Sequence, residues 1–142
     1  MNPKDAAPSD KRTPRMPGSS RQARERRQAC DSRYRSIIGH LDAMIELLRR
    51  KPGLDLSHEL DRLLDVMLEH IGSENEYMEL VGFPQTTRHR LHHQFLWVNA
   101  AELSCRFGKG LEVLPEEVAA LRLSWLEHIH CHDRAFEEFL AS

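Results

Sequence analysis

His70-Ile71-Gly72-Ser73-Glu74 and, after a short break, His89-Arg90-Leu91-His92-His93 are the two segments on which the reading of this chain turns. Each pairs ligand-type side chains at i, i+4: His70 with Glu74, and His89 with His93. On a helix that spacing stacks the two members of a pair on one face, a turn apart. Three imidazoles and a carboxylate can then point at a single site, which is the geometry of metal ligands.

The residues around these pairs predict the helices that carry them. Leu60, Leu63, Leu64, Met67, Ile71, Met78 and Val81 recur at helical steps, so a helix is expected from a cap at Asp55 or Ser57 to Val81, with His70 and Glu74 on its apolar stripe. Gly82-Phe83-Pro84 ends it and starts the next, which takes in His89, His93, Leu96, Trp97, Ala100 and Leu103 and stops near Gly108-Lys109-Gly110. Upstream, Tyr34, Ile37, Ile38, Leu41, Met44, Ile45 and Leu48 mark a helix over about 31–50, with His40 at the margin of its stripe and Lys51-Pro52-Gly53 as its stop. Downstream, Pro115 opens a fourth helix whose inner face reads Val118, Leu121, Trp125, His128, Ile129, Asp133, Phe136 and Leu140. No stretch alternates with period two. The fold class expected is all-α, an antiparallel up-down four-helix bundle over residues 30–142, the architecture in which facing helices place metal ligands in the core.

Composition narrows the function classes. The 142 residues suffice for one ordinary domain. No apolar run approaches the roughly 18 residues of a membrane span, and no apolar signal region opens the chain. Cys30, Cys105 and Cys131 are odd in number and far apart, which argues for reduced thiols and a cytoplasmic location. Residues 1–29 hold eight Lys or Arg against three Asp or Glu, several prolines and almost nothing apolar, so they read as a disordered basic tail, with its last turn, Arg21 to Arg27, open to extending the first helix. An arm for nucleic acid would interleave aromatics with the basic residues, and this tail has none.

The seam residues carry the chemistry. A carboxylate buried without a partner costs several kcal/mol, so Glu74 and Asp133 call for a cation, and a metal supplies one. Mixed imidazole and carboxylate ligation suits iron; structural zinc usually takes four ligands and often thiolate, although ligand type alone leaves manganese and zinc open. His132, at i+4 from His128, and Cys131 compete with Asp133 for a place in the site, while His58, His92 and His130 read as solvated.

Together, His40, His70-xxx-Glu74, the Gly82-Phe83-Pro84 break, His89-xxx-His93 and His128 with Asp133 five residues on resemble the hemerythrin family in its bacterial form, over residues 34–140. The resemblance implies a hemerythrin-like bundle holding two non-heme irons. His89, His93 and His128 would ligate one iron, His40 and His70 the other, and Glu74, Asp133 and a solvent-derived oxo or hydroxo group would bridge them. It implies reversible binding of molecular oxygen, for storage, delivery or sensing, without catalysis. The runner-up is a di-iron redox protein handling nitric oxide, peroxide or labile iron, and a metal-free helical adaptor would leave the seam carboxylates unexplained. Where the family has Phe after the second-helix histidine this chain has Ile71, and where it has Trp four residues before the last histidine this chain has Ser124, with Trp125 one place on. Trp125 and Ile129 are thereby expected to line the oxygen pocket. No protein partner is implied.

Overall fold

A computed structural model describes residues 17–142. Helices α1 (Pro17–Arg50), α2 (Ser57–Val81), α3 (Thr86–Gly108), α4 (Pro115–Glu127) and α5 (Arg134–Ala141) account for nearly all of them, and there is no strand among the described residues. A π-helical turn, His128–Asp133, joins α4 to α5 without a break, so the last two form one long helix and the fold is a four-helix bundle. None of the described helices is long and apolar enough to cross a membrane.

The direction of each helix follows from what it buries in order along the chain. In α2, Leu60, Leu63 and Met67 enter a large apolar core, His70 and Glu74 come next, and Met78 enters a smaller cluster with Phe83 and Phe136. In α3 the order is reversed: Phe83 lies just before it, then come His89 and His93, then Leu96, Ala100 and Leu103 in the large core. The last helix reverses it again, from Val118, Leu121 and Trp125 through His128 and Asp133 to Phe136. In α1, Tyr34 precedes Ile37, Leu41, Met44 and Leu48. Successive helices therefore run antiparallel, and a polar layer lies between two apolar ones. At about 25 cal/mol per Å² those apolar layers supply the folding drive, which the polar layer does not.

Helix ends are set locally. Gly82 sits in the left-handed region (φ 68°), with Phe83 N–H donating to the Met78 carbonyl at 3.0 Å, the hydrogen bond of a Schellman stop. Asp55 accepts from the Ser57 N–H at 2.9 Å at the start of α2, and Glu117 reaches back to the Leu114 N–H at 2.9 Å around Pro115.

The chain divides into units Met1–Ser32 and Arg33–Ser142, and the first helix begins at Pro17, further back than an extension over Arg21–Arg27. Arg, Gln, Ala and Glu are among the better helix formers, and Arg21 and Glu25 add an exposed i, i+4 pair at 3.8 Å. The remainder of the expected tail lies outside the described residues. The last helix contains a π-helical turn that its apolar steps do not announce.

Candidate metal centre

Six ionisable side chains from three helices are buried in the polar layer: His70 and Glu74 of α2, His89 and His93 of α3, and His128 and Asp133 of the π turn. One ligand atom each from His70, Glu74, His93, His128 and Asp133 falls within 4.8 Å of all the others. His89 joins them through Nε2, 2.8 Å from Glu74 Oε1 and 3.0 Å from Asp133 Oδ1. His93 Nε2 lies 3.0 Å from the same Glu74 oxygen, and His128 Nε2 3.1 Å from Asp133 Oδ1.

The π turn explains how His128 and Asp133 come to share a site. Five residues apart on a regular α-helix they would be rotated by about 140°. The wider turn closes at i+5 and brings both inward, so that Asp133 joins the cluster and His132 does not. His132 is left half-buried, stacked on His92 with ring centroids 4.4 Å apart, and Cys131 is exposed.

A cation fits this arrangement. Both Asp133 oxygens and His128 Nε2 are buried and make no hydrogen bond, although they stand at contact distance from one another. Buried polar atoms are rarely left so, and lone pairs aimed at a common point rather than along one another are what ligands present. Outer partners orient the rings. His93 Nδ1 lies 2.7 Å from Asn75 Oδ1, and His128 Nδ1 lies 2.8 Å from Nδ1 of His92, which is half-buried rather than solvated. Such partners typically contribute 10–100-fold to metal affinity. Asn75→Ala is accordingly expected to weaken metal binding by about that factor while leaving the helical content unchanged, as read by competition with a chromophoric chelator.

Electrostatics follow from burial and crowding. Burial alone would raise the Glu74 carboxyl, but the imidazoles of His128, His89 and His93 outweigh it and hold the group well below the ordinary carboxylate range. Burial pushes His89 down, yet Asp133 and Glu74 prevail and raise it to about 9. His128 is raised by the same two carboxylates against its burial. His93 is pushed down to about 4 by burial, against its contact with Glu74. A metal must displace the His89 proton, so apparent affinity should rise with pH until about 9, by about tenfold per unit from this group alone. Isothermal titration in buffers of different ionisation enthalpy would count the protons released.

His40, expected as the ligand from the first helix, is not brought to this cluster. It is half-buried with Nδ1 2.7 Å from the Ser36 carbonyl of its own helix. The residue that α1 turns inward is Tyr34, whose hydroxyl donates to Glu74 Oε2 at 3.4 Å and whose ring packs edge-on against His70 at 4.7 Å. Six residues on, His40 lies about 9 Å further along the axis. Trp125 is fully buried, with ring centroids 6.0 Å from His70 and 5.8 Å from His128, and Ile129 is half-buried in the π turn. A cleft lined by Leu68, Ile71, Leu91 and Trp97 reaches Asn75 and His93. Sequence reasoning missed Tyr34, Asn75 and His92. Tyr34 had a visible signal, a polar-tipped aromatic at the start of the first apolar stripe; Asn75 had none.

Buried histidines and carboxylates converging from facing helices of a four-helix bundle are the arrangement in which such bundles hold metal ions. The chain is 27% identical over 109 residues to a bacteriohemerythrin of Stenotrophomonas maltophilia, covering 76% of this chain and 71% of that protein. It is 24% identical over 110 residues to bacteriohemerythrins of Pseudomonas paraeruginosa and Pseudomonas aeruginosa, covering 77% of this chain and 71% of each. No protein-family model matches, and no solved structure matches. In the fold it adopts and in these relatives, the chain is similar to the bacteriohemerythrins.

Proposed function

We propose that this chain holds non-heme iron in the polar layer and binds dioxygen there, as a binding module of the cytoplasm and not as an enzyme. The observation that carries the reading is the convergence of imidazole nitrogens and carboxylate oxygens, several without hydrogen bonds, in a layer closed by apolar cores on both sides. Iron accepts this mixed donor set, and when reduced it supplies affinity for dioxygen. Everything else is supplied by the chain. Glu74 and Asp133 neutralise charge in a low-dielectric core, and Asn75 and His92 orient His93 and His128. Trp125 walls the cluster and brings a buried indole N–H that makes no hydrogen bond, a donor available to a small polar ligand. The cleft ending at Asn75 and His93 offers such a ligand a route.

One observation favours the redox alternative: Tyr34 and Trp125, two oxidisable aromatic side chains, both pack against His70. Loading the metal-free chain anaerobically with ferrous iron, admitting air and then returning to low oxygen separates the two readings. A visible absorption band that appears and disappears with oxygen is expected. Oxygen consumed without release would establish redox chemistry instead, and a chain that retains no iron would sink both.

A further inference from the structure

The two halves of the cluster differ in how their histidines are oriented. On one half, Asn75 Oδ1 faces His93 Nδ1 at 2.7 Å. An amide oxygen only accepts, so His93 keeps its proton on Nδ1 and turns the lone pair of Nε2 inward, as a ligand must. On the other half, Arg33 Nε donates to His70 Nδ1 at 3.2 Å. A guanidinium has no lone pair to offer and keeps its protons, so here Nδ1 is the acceptor and a neutral His70 carries its proton on Nε2. That nitrogen stands 3.7 Å from Glu74 Oε1 and makes no hydrogen bond, and with its proton in place it has no lone pair to offer a metal.

Helix α1 completes the asymmetry. Next to Arg33 it contributes Tyr34, whose hydroxyl donates to Glu74 Oε2, the oxygen turned away from His89 and His93. Glu74 thus presents one oxygen to the imidazoles of α3 and has the other occupied by a neutral donor. The Arg33 guanidinium also brings a fixed positive charge to the side where a second cation would have to sit, and in a low dielectric like charges close together are strongly disfavoured.

We propose that this centre holds one metal ion and not two: His89, His93 and His128 with Glu74 and Asp133 form the site, while Arg33, Tyr34 and His70 fill the place of a second with a hydrogen-bonded, singly charged group. The inference rests on the metal-binding reading above and narrows it, because the paired irons implied by the family resemblance do not fit the half of the layer that α1 covers. Of those five donors, His93, His128, Glu74 and Asp133 converge within 4.8 Å of one another, and His89 Nε2 comes within 2.8 Å of Glu74 and 3.0 Å of Asp133, which makes a set for one ion of mixed nitrogen and oxygen preference.

The test is the metal stoichiometry of the full chain, stripped with chelator, titrated anaerobically with ferrous iron, desalted and analysed for metal and protein. One ion per chain is expected for the wild type, and one for Tyr34→Phe, which removes the hydroxyl without adding a ligand. A second binding step should appear when the donor is removed and an imidazole supplied, in the double variant Arg33→Gln with Tyr34→His. Circular dichroism on each sample checks that the bundle is intact. Two ions per wild-type chain would overturn the inference while leaving the proposed function standing. So would a Tyr34→Phe variant that loses its ion or a phenolate-to-iron absorption band present in the wild type, since Tyr34 would then be a ligand. A double variant that folds and stays at one ion would show that Arg33 and Tyr34 are not what excludes the second. No metal at all would remove the proposed function together with this inference.

Discussion

Replacing Glu74 with alanine is expected to abolish metal uptake and to lower the stability of the metal-free chain by about 3–5 kcal/mol near neutral pH, the range for breaking a buried ion pair from one side. Glu74 Oε1 lies 2.8 Å from His89 Nε2 and 3.0 Å from His93 Nε2, and all three groups are buried. Removing it leaves His89, whose pKa the carboxylates hold up at about 9, with Asp133 as its remaining partner. Glu74→Gln keeps the shape and one acceptor oxygen, so it should lose metal binding almost as completely but less of the stability. The pH dependence follows from the directions of the shifts. The Glu74 pKa is depressed on folding, so its contribution is present above the ordinary carboxylate range and disappears as pH falls through its lowered value. The His89 pKa is raised, so its contribution is full below about 6.5 and is lost as pH rises through about 9. Urea unfolding of chelated wild type and Glu74→Ala at several pH values should therefore show curves that separate most between those limits and approach one another in strong acid. Equal midpoints at pH 6 would show that the carboxylate does not hold the metal-free layer together.

Trp125→Ala is expected to cost about 3–5 kcal/mol, the usual range for deleting a large buried aromatic. The ring is fully buried at the boundary between the large apolar core and the imidazoles of His70 and His128, so alanine leaves a cavity lined by both. Because the indole N–H makes no hydrogen bond, Trp125→Phe sheds a buried donor as well as some volume and should lose markedly less. Chemical denaturation measures the ordering of wild type, Phe and Ala. Trp125→Leu tests the pocket role on its own, through a change in oxygen affinity and autoxidation rate in the iron-loaded protein; unchanged values would leave Trp125 as packing alone.

The bundle was legible because its helices are written in apolar steps of three and four, and burial follows those steps closely. Ile37, Leu41, Leu60, Leu63, Met67, Leu96, Val118 and Leu121 are all in the core where periodicity places them. The first helix reaches back to Pro17, beyond the Arg21–Arg27 turn, because polarity says nothing against a helix when the residues are good helix formers. In the site, the paired spacings of His70 with Glu74 and His89 with His93 locate four side chains that the structure does bring into the polar layer. The first helix was misread for a physical reason. A search for imidazoles finds His40, whereas the residue facing the layer is fixed by the phase of the stripe and is Tyr34. Arg33, at the edge of that stripe, looks like a solvated charge until the fold sets His70 beside it. Tautomers, likewise, are not written in one dimension: which nitrogen of a histidine faces inward depends on partners such as Asn75 and His92, brought close by folding.

The π-helical turn gives the last helix a particular sensitivity. Its four residues between His128 and Asp133 matter as a length before they matter as chemistry, since Ile129, His130, Cys131 and His132 are half-buried or exposed. Exchanging their side chains would leave the spacing intact. Losing any one of them would let the wide turn relax to regular α-helix, with Asp133 reaching the layer at i+4 and Phe136, three residues on in the same helix, keeping its place beneath it. Adding one would find no second wide turn to absorb it and would rotate Asp133 and Phe136 together by about 100°. The π turn thus sets the relative phase of the helix halves above and below the centre.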